Sequence, residues 1–218
     1  MTLTVIRYGT TSFGEDVLLE NGDSRVRLPI SLTFFLVTSG DRRILIDTGF
    51  DPKPGAEVIR TPDDALALAG FCPDDITDVV ITHAHFDHIG GVRHFPGARI
   101  IIQKAESDAR ELDGMNVVTF DDESGFDLPD GELLVKRIGG HTIGSSVVYV
   151  SSGGTKYLLT GDEIYLPLTL ETGRLSGSLY DREKNSRFVE EVKRGEYVPV
   201  IFHDPTITDS CFGTKRLI

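Results

Sequence analysis

Residues 82–91 read Thr-His-Ala-His-Phe-Asp-His-Ile-Gly-Gly and hold three of the six histidines of the chain. The run before them, residues 78–82, is rich in β-branched side chains and predicts a buried strand, whereas the two glycines predict a turn or a short helix. At the end of an extended segment residues i and i+2 point the same way, so His83 and His85 can converge on one point. Beyond the strand, Asp87 and His88 are adjacent residues that cannot share a face, so their side chains are better suited to bind at a second point beside the first. Imidazole nitrogen with carboxylate oxygen predicts zinc, or another divalent ion of similar preference.

Three more candidate ligands each come just after an apolar, strand-like run. They are His141, Asp162 and His203. Sheet scaffolds commonly present functional groups where a strand ends. Any one of the three alone would be better explained as a structural histidine or a turn aspartate. Because the cluster at residues 83–88 needs partners from elsewhere in the chain, we predict that all three contribute to a metal site.

Five motifs stand in the order typical of the metallo-β-lactamase superfamily, which the chain resembles. They are Asp47 in Ile-Asp-Thr-Gly, the histidine-rich run at 83–88, His141, Asp162 and His203. The resemblance implies two ligand sets joined by one bridging carboxylate: His83, His85 and His141 for the first ion, Asp87, His88 and His203 for the second, and Asp162 between them. It gives Asp47 a supporting position near the metals. The implied fold is α+β, an αββα sandwich of two packed mixed β-sheets with helices on the outer faces; the pattern of elements alone predicts only a mixed α and β fold.

Within this superfamily the chain is most similar to acyl-homoserine lactonases and related lactone hydrolases. Phe86 stands between the second histidine and the aspartate, as in those enzymes, and Tyr165 follows Asp162 by three residues, where they carry a tyrosine that can hydrogen-bond the substrate. The alternative for Tyr165 is an aromatic side chain that packs a loop at the rim. The resemblance implies catalytic roles for Asp87, Asp162 and Tyr165. The sequence departs from many relatives at Ser145, where they have a second histidine that does not usually bind metal.

A pair of divalent ions indicates metal-assisted hydrolysis of an ester, thioester, lactone or amide. Zinc lowers the pKa of bound water from about 15.7 to about 7, so a hydroxide bridging the two ions can attack a carbonyl carbon at neutral pH. We therefore predict an enzyme that opens a small-molecule lactone or related ester with two Zn²⁺ ions, with iron, manganese or cobalt as alternatives.

Three other functions stay open at this point. A thioesterase of the glyoxalase II type would need a C-terminal helical region to bind glutathione, and only 15 residues follow His203. A di-iron redox protein of the same fold would carry a carboxylate in place of His85, together with a flavin domain. A non-catalytic scaffold stabilised by metal would usually have lost some of the ligands.

Length and composition predict a single domain over residues 1–218. The chain is 39% hydrophobic and 26% charged, as in soluble globular proteins, and its net charge of -12 disfavours nucleic acid and anionic membrane surfaces. The N-terminus does not resemble a secretory signal, and no apolar run reaches the ~20 residues that cross a bilayer. We expect a cytoplasmic protein, with a homodimer left open. Cys72 and Cys211 are predicted to be free, buried thiols.

The remaining predictions concern local structure. Loops are predicted at residues 14–27, near the mouth of the site, at 51–55, and at the acidic stretch 121–130. Helices are predicted after the cap Thr61, over 104–112, and over 181–194. His94 is expected to be a surface or packing residue. Asp204 could either orient a ligand histidine or cap a turn.

Overall fold

The computed structural model describes residues 1–53 and 58–218, in which two β-sheets pack face to face. The strands of the first sheet are β1 (Thr2–Gly14), β2 (Arg27–Ser39), β3 (Arg42–Ile46), β4 (Asp78–Ile81), β5 (Arg99–Gln103), β6 (Asn116–Phe120) and β12 (Gly213–Arg216), with β12 added beside β1. Those of the second sheet are β7 (Glu123–Leu128), β8 (Gly131–Arg137), β9 (Ser146–Ser152), β10 (Thr155–Leu159) and β11 (Val198–Val200). Both sheets mix parallel and antiparallel pairs.

Helical segments are short, except for one. They are α1 (Glu15–Leu18), α2 (Pro62–Ala67), α3 (Phe86–Ile89), α4 (Pro167–Thr172) and α5 (Arg182–Lys193), with 3₁₀ turns at Pro73–Asp75, Val92–His94, Lys104–Glu106, Arg110–Leu112 and Gly161–Glu163. Among the described residues, no helix is long and apolar enough to span a membrane.

Three apolar layers account for the sandwich. The central layer joins the facing sides of the two sheets, where Phe35 and Val80 of the first sheet belong to one cluster with Val135 and Val148 of the second. A second layer covers the outer face of the first sheet, and a third packs α5 on the outer face of the second sheet. Alternate residues of each strand therefore face different layers, as the period of two requires. The predicted αββα architecture is confirmed.

The topology brings the carboxyl ends of several strands to one edge of the sandwich. In the first sheet β3, β4 and β5 run parallel, so the residues after each strand lie side by side. In the second sheet β10 and β11 are parallel and end just before Asp162 and His203. The loop that carries His141 enters β9 at this same edge. The candidate ligands therefore lie together at this edge of the sandwich.

The local predictions had mixed outcomes. Thr61 caps α2 through a 3.3 Å hydrogen bond from Asp64 N, and α5 matches the helix predicted at 181–194. The helix predicted over 104–112 is wrong, because that segment forms two 3₁₀ turns, and the acidic stretch at 121–130 is not a loop but contains β7. The segment 14–27 includes α1, and part of the loop predicted at 51–55 lies outside the described residues. Cys72 and Cys211 are free as predicted but exposed, since each lies in a surface turn.

Candidate metal centre

The structure gathers all seven predicted ligands into two adjoining groups. One contains His83, His85, His141 and Asp162, and the other contains Asp87, His88 and His203. Within each group the nitrogen or oxygen atoms that could bind an ion lie within 4.8 Å of one another. Residues far apart in sequence thus form one compact polar cluster.

The first group converges through three imidazole nitrogens. His85 Nδ1 lies 3.0 Å from His83 Nε2 and 3.0 Å from His141 Nε2. Asp162 Oδ2 lies 3.5 Å from His83 Nε2 and 3.4 Å from His141 Nε2. Three nitrogens and one carboxylate oxygen around a single point match the four-coordinate arrangement that zinc prefers.

The second group uses the other oxygen of the same aspartate. Asp162 Oδ1 lies 3.1 Å from His88 Nε2 and 3.1 Å from His203 Nε2. Asp87 Oδ2 completes this group at 3.8 Å from His203 Nε2 and 4.0 Å from His88 Nε2. Because its two oxygens face different groups, Asp162 has the geometry of a bridging carboxylate.

Hydrogen bonds on the outer side of the rings fix which nitrogen faces the centre. His141 Nδ1 donates to Ser178 O at 3.1 Å, and His203 Nδ1 donates to Ser31 O at 2.8 Å. A carbonyl oxygen can only accept, so in the neutral imidazole the proton lies on Nδ1 and the inward Nε2 keeps a free lone pair. Metal-binding histidines are generally oriented by such outer partners.

Asp47 supports the second group from beneath. Its carboxylate accepts hydrogen bonds from Thr82 N at 2.7 Å and Thr82 Oγ1 at 2.8 Å, and its Oδ2 lies 2.6 Å from His88 Nδ1. Asp47 is fully buried and has a φ of 60°, a conformation that is uncommon outside glycine. Such strained positions persist where the surrounding contacts require them, often at functional sites. Asp47 thus orients a candidate ligand without lying in either group itself.

The charges in the cluster favour a bound cation. Burial holds the pKa of His83 well below its ordinary value, so this imidazole is neutral and able to bind metal. Burial also disfavours the charged form of His88, but the carboxylates of Asp162, Asp47 and Asp87 outweigh it and raise the pKa of His88 well above its ordinary value. Three carboxylates around one buried imidazole create a negative potential that divalent ions would neutralise.

Two unsatisfied polar atoms test whether a metal fits here. His88 Nε2 and Asp162 Oδ1 are buried and make no hydrogen bond, although they lie 3.1 Å apart. Buried polar atoms in proteins are almost always paired, so such an orphaned pair needs an explanation. A divalent ion between them would supply it, and the imidazole and carboxylate donors suit zinc. The residues present therefore fit a pair of metal ions.

A cavity of about 210 Å³ opens beside the cluster. Its floor includes ligand candidates from both groups, and its wall is apolar, formed by Phe13, Val17, Leu18, Ile30 and Phe86. Phe86 is 59% exposed, so its ring belongs to the rim and not to the core. Histidines excepted, none of the described residues that line the cavity can carry a positive charge.

Tyr165 lies between the two groups at the side of the cavity. Its ring centroid is 5.4 Å from that of His141 and 5.7 Å from that of His203. The hydroxyl approaches His141 Nδ1 only to 3.5 Å, a long contact that leaves its donor capacity largely unused. Burial, followed by the charges of Asp162 and Asp87, raises the pKa of Tyr165, so the phenol stays protonated and can donate.

Several supporting residues were not predicted from the sequence. Tyr8, which is fully buried, donates from its hydroxyl to Asp87 O at 3.2 Å. Glu106 and Glu163 are buried carboxylates that bind the backbone of the ligand loops. Each glutamate lies just past a strand, as Asp162 does, but this position alone does not distinguish a buried glutamate from an exposed one.

The two residues with open roles lie outside the ligand groups. Asp204 accepts hydrogen bonds from Thr206 N at 2.8 Å and Thr206 Oγ1 at 2.7 Å, so it caps a turn, the second of its two predicted roles. His94 pairs with Asp51 at 2.8 Å and Asp63 at 2.7 Å near the surface, as expected of a surface residue.

Comparison with known proteins agrees with the fold and the motifs. The model of the metallo-beta-lactamase superfamily matches residues 29–202, and the chain belongs to this superfamily. Among curated relatives, hydroxyacylglutathione hydrolase of Pseudomonas syringae pv. syringae is 30% identical over 117 residues, 48% of this chain and 41% of that protein. N-acyl homoserine lactonase AiiB of Agrobacterium fabrum is 29% identical over 96 residues, 36% of this chain and 35% of that protein. The matched segments thus span less than half of either relative.

Solved structures match over nearly the whole chain. A mutant of AiiA from B. thuringiensis, with N-decanoyl-L-homoserine bound at the active site, superposes with a TM-score of 0.79 at 22% identity, covering 94% of both chains. AidC, a dizinc quorum-quenching lactonase in complex with a product, gives a TM-score of 0.75 at 21% identity, covering 93% of this chain and 87% of that one. These likenesses, at 21% and 22% identity, establish the fold.

Proposed function

We propose that this protein is a metal-dependent hydrolase that opens lactones or closely related uncharged esters, with its seven clustered side chains holding two divalent ions, preferably zinc. The observation that carries the proposal is the position of the two oxygens of Asp162. Each lies within 3.1 to 3.5 Å of imidazole nitrogens from a different group, so one carboxylate can serve two ions at once. Relatives named as lactonases, and a dizinc lactonase of the same fold, support it.

Bound there, the two ions would supply a hydroxide at neutral pH and a Lewis acid for the substrate carbonyl. The side chains determine where this chemistry is directed. Asp162 spaces the two groups, and Asp87, which also lines the cavity, completes the second group on the substrate side. The outer hydrogen bonds to Ser178 O and Ser31 O hold the Nδ1 protons of His141 and His203, so each ring in its neutral form presents a free lone pair on the inward Nε2.

Tyr165 is the group best placed to act on the substrate directly. Its protonated hydroxyl can donate a hydrogen bond to the carbonyl oxygen or to the leaving oxygen as negative charge develops there. Asp87 faces the same space, so its carboxylate can take up the proton of the attacking hydroxide after the new C–O bond forms and return it to the leaving alkoxide as the ester C–O bond breaks. In this account Asp87, Asp162 and Tyr165 are the catalytic residues.

The cavity wall narrows the substrate class. An apolar acyl or alkyl group would lie against Phe13, Val17 and Ile30, while the reactive carbonyl points toward the histidines. A substrate with several carboxylates would find no lysine or arginine among the described residues of the wall. Binding sites of this kind obtain affinity from apolar contact and orientation from a few polar groups.

A thioesterase is the second candidate, because hydroxyacylglutathione hydrolase matches 48% of this chain. Glutathione thioesters carry carboxylates, which the uncharged wall disfavours. The two candidates differ in a measurable way, because a lactonase and a glutathione thioesterase would rank the same substrates in opposite orders.

The test is a substrate panel at a fixed zinc concentration: γ-lactones with short and long acyl groups, an aryl ester, a hydroxyacylglutathione thioester and a cephalosporin. We expect kcat/KM for an N-acylated γ-lactone to exceed that for the thioester at least ~10-fold, a difference of about 1.4 kcal/mol in transition-state binding. A thioester preferred over every lactone would establish the second candidate. Hydrolysis that persists equally in an Asp162→Ala protein would show that the activity is not that of this site.

A further inference from the structure

Glu106 is a buried carboxylate that lies between two loops carrying candidate ligands. It is 8% exposed and ends the 3₁₀ turn that follows β5. Its Oε2 accepts a hydrogen bond from Ala84 N at 3.0 Å. Ala84 lies between His83 and His85, two ligand candidates of the first group. Glu106 Oε1 accepts from Thr142 Oγ1 at 2.7 Å and from Gly144 N at 2.8 Å, in the loop that carries His141.

We propose that Glu106 is a positioning residue for the first metal group: its carboxylate sets the distance between the 83–85 segment and the His141 loop, and thereby the affinity for the first ion. This inference rests on the proposed function only in that the clustered side chains bind metal. Glu106 does not lie in either ligand group, so it acts through the loops it holds.

The approach of the backbone to Glu106 is close on the His141 side. A Cβ atom on Gly144 would lie 2.6 Å from Glu106 Cγ and 2.5 Å from Gln103 Oε1, so only glycine allows the loop to come this near. Three donors from two separate loops then share one carboxylate. A change at Glu106 would therefore alter the distance between the two loops more than the conformation of either loop.

A second buried carboxylate shows why Glu106 and not its neighbour controls the spacing. Glu163 Oε1 accepts from Gly140 N at 3.0 Å and from His141 N at 3.1 Å, and it lies 2.5 Å from Ser145 Oγ. These donors all belong to the His141 loop. Glu163 thus holds that loop against the second sheet, whereas Glu106 ties it to the loop of the other two histidines.

The second group has its own supports, so the effect should be selective. His88 is oriented by Asp47 at 2.6 Å, and His203 by Ser31 O at 2.8 Å. No hydrogen bond connects Glu106 to any of these four residues within the described part of the chain. A perturbation at Glu106 should weaken one of two metal-binding steps and leave the other in place.

The experiment compares Glu106→Gln with wild type in a Zn²⁺ competition titration against a chromophoric chelator, together with the absorption spectrum of the Co²⁺-loaded protein. The glutamine amide places an NH₂ donor against a backbone or hydroxyl donor, which removes at least one contact while keeping the volume. We expect one binding step to weaken by about 10 to 100-fold, as losses of outer hydrogen-bond partners usually do. The Co²⁺ absorption lost should be the component that is also lost in His85→Ala.

Asp78→Asn is the matched control, since Asp78 is a buried carboxylate at the opposite end of β4. It accepts from Arg42 Nε at 2.9 Å and Arg99 Nε at 2.9 Å, far from the ligand loops in the fold. We expect a lower Tm with both Zn²⁺ affinities unchanged. If Glu106→Gln behaves in the same way, or weakens both binding steps equally, the proposal is overturned.

A second variant guards against failure of Glu106→Gln to fold. Thr142→Val removes a single donor to Glu106 Oε1 and should weaken the same binding step several-fold; if that step is unchanged, the proposal is likewise overturned. Failure of the hydrolase proposal would look different, because the wild type would then bind two ions and hydrolyse no lactone.

Discussion

The Tyr165→Phe substitution removes one hydroxyl from the side of the cavity and leaves the ring in place. The contact of that hydroxyl with His141 Nδ1 is 3.5 Å, at the limit of a hydrogen bond, so little folding free energy depends on it. The Tyr165 hydroxyl is expected to contribute to catalysis, where a hydrogen bond to a charged oxygen contributes about 1.5–3 kcal/mol. At 1.4 kcal/mol per factor of ten, kcat for lactone opening should fall by ~10 to 100-fold.

The assay is steady-state hydrolysis of a γ-lactone at saturating zinc, with Tm measured in parallel. KM should change little, because the hydrogen bond strengthens mainly in the transition state. Tyr157→Phe is the matched control. The Tyr157 hydroxyl donates to Leu217 O at 3.1 Å, and neither residue lines the cavity, so its loss should leave kcat unchanged. If Tyr165→Phe retains the wild-type kcat, Tyr165 is a packing residue and the proposed role is wrong.

Three further perturbations test other parts of the account. Asp162→Ala should lose one or both ions and all turnover, and an active variant with two metals bound would refute the bridging assignment. Removing metal with a chelator should lower the Tm by about 5–10 °C for each ion lost, since an ion present at 100 times its Kd adds about 2.7 kcal/mol and each kcal/mol shifts the Tm of a chain this size by about 2–4 °C. An unchanged Tm would mean that no tightly bound ion was present. Arg174→Ala should raise KM for apolar lactones by about 5-fold at constant kcat. Arg174 Nη1 donates to Glu15 Oε1 at 2.9 Å and thereby holds α1, which lines the cavity. An equal rise in KM for apolar and polar substrates would contradict that role.

The clustered residues could be predicted because each combines a chemically distinctive side chain with a position at the end of a strand. His141, Asp162 and His203 satisfy both conditions, and the mixed sheets bring their strand ends to one edge. Glu106 satisfies only the second condition. Glutamate is mostly exposed in proteins, so its position after a strand does not indicate burial. The burial of Glu106 and its three hydrogen bonds depend on contacts with loops that are distant in sequence.

The wrong predictions have physical causes that lie outside the local sequence. The stretch at 121–130 is acidic, yet Phe126 and Leu128 alternate with exposed residues and face the central core, so β7 forms. The segment at 104–112 has helix-forming residues, but the carboxylate of Glu106 is bound by the two ligand loops, and the chain folds into separate 3₁₀ turns. Tertiary contacts override propensity in both cases.

The central claim is that two groups of side chains, joined through Asp162, bind two divalent ions. Native mass spectrometry of the wild-type chain titrated with Zn²⁺ tests it most directly. We predict that the mass rises by two zinc ions per chain at saturation, and by no more than one in the Asp162→Ala protein. A wild type that saturates at zero or one ion, or an Asp162→Ala protein that still binds two with wild-type affinity, would contradict the claim.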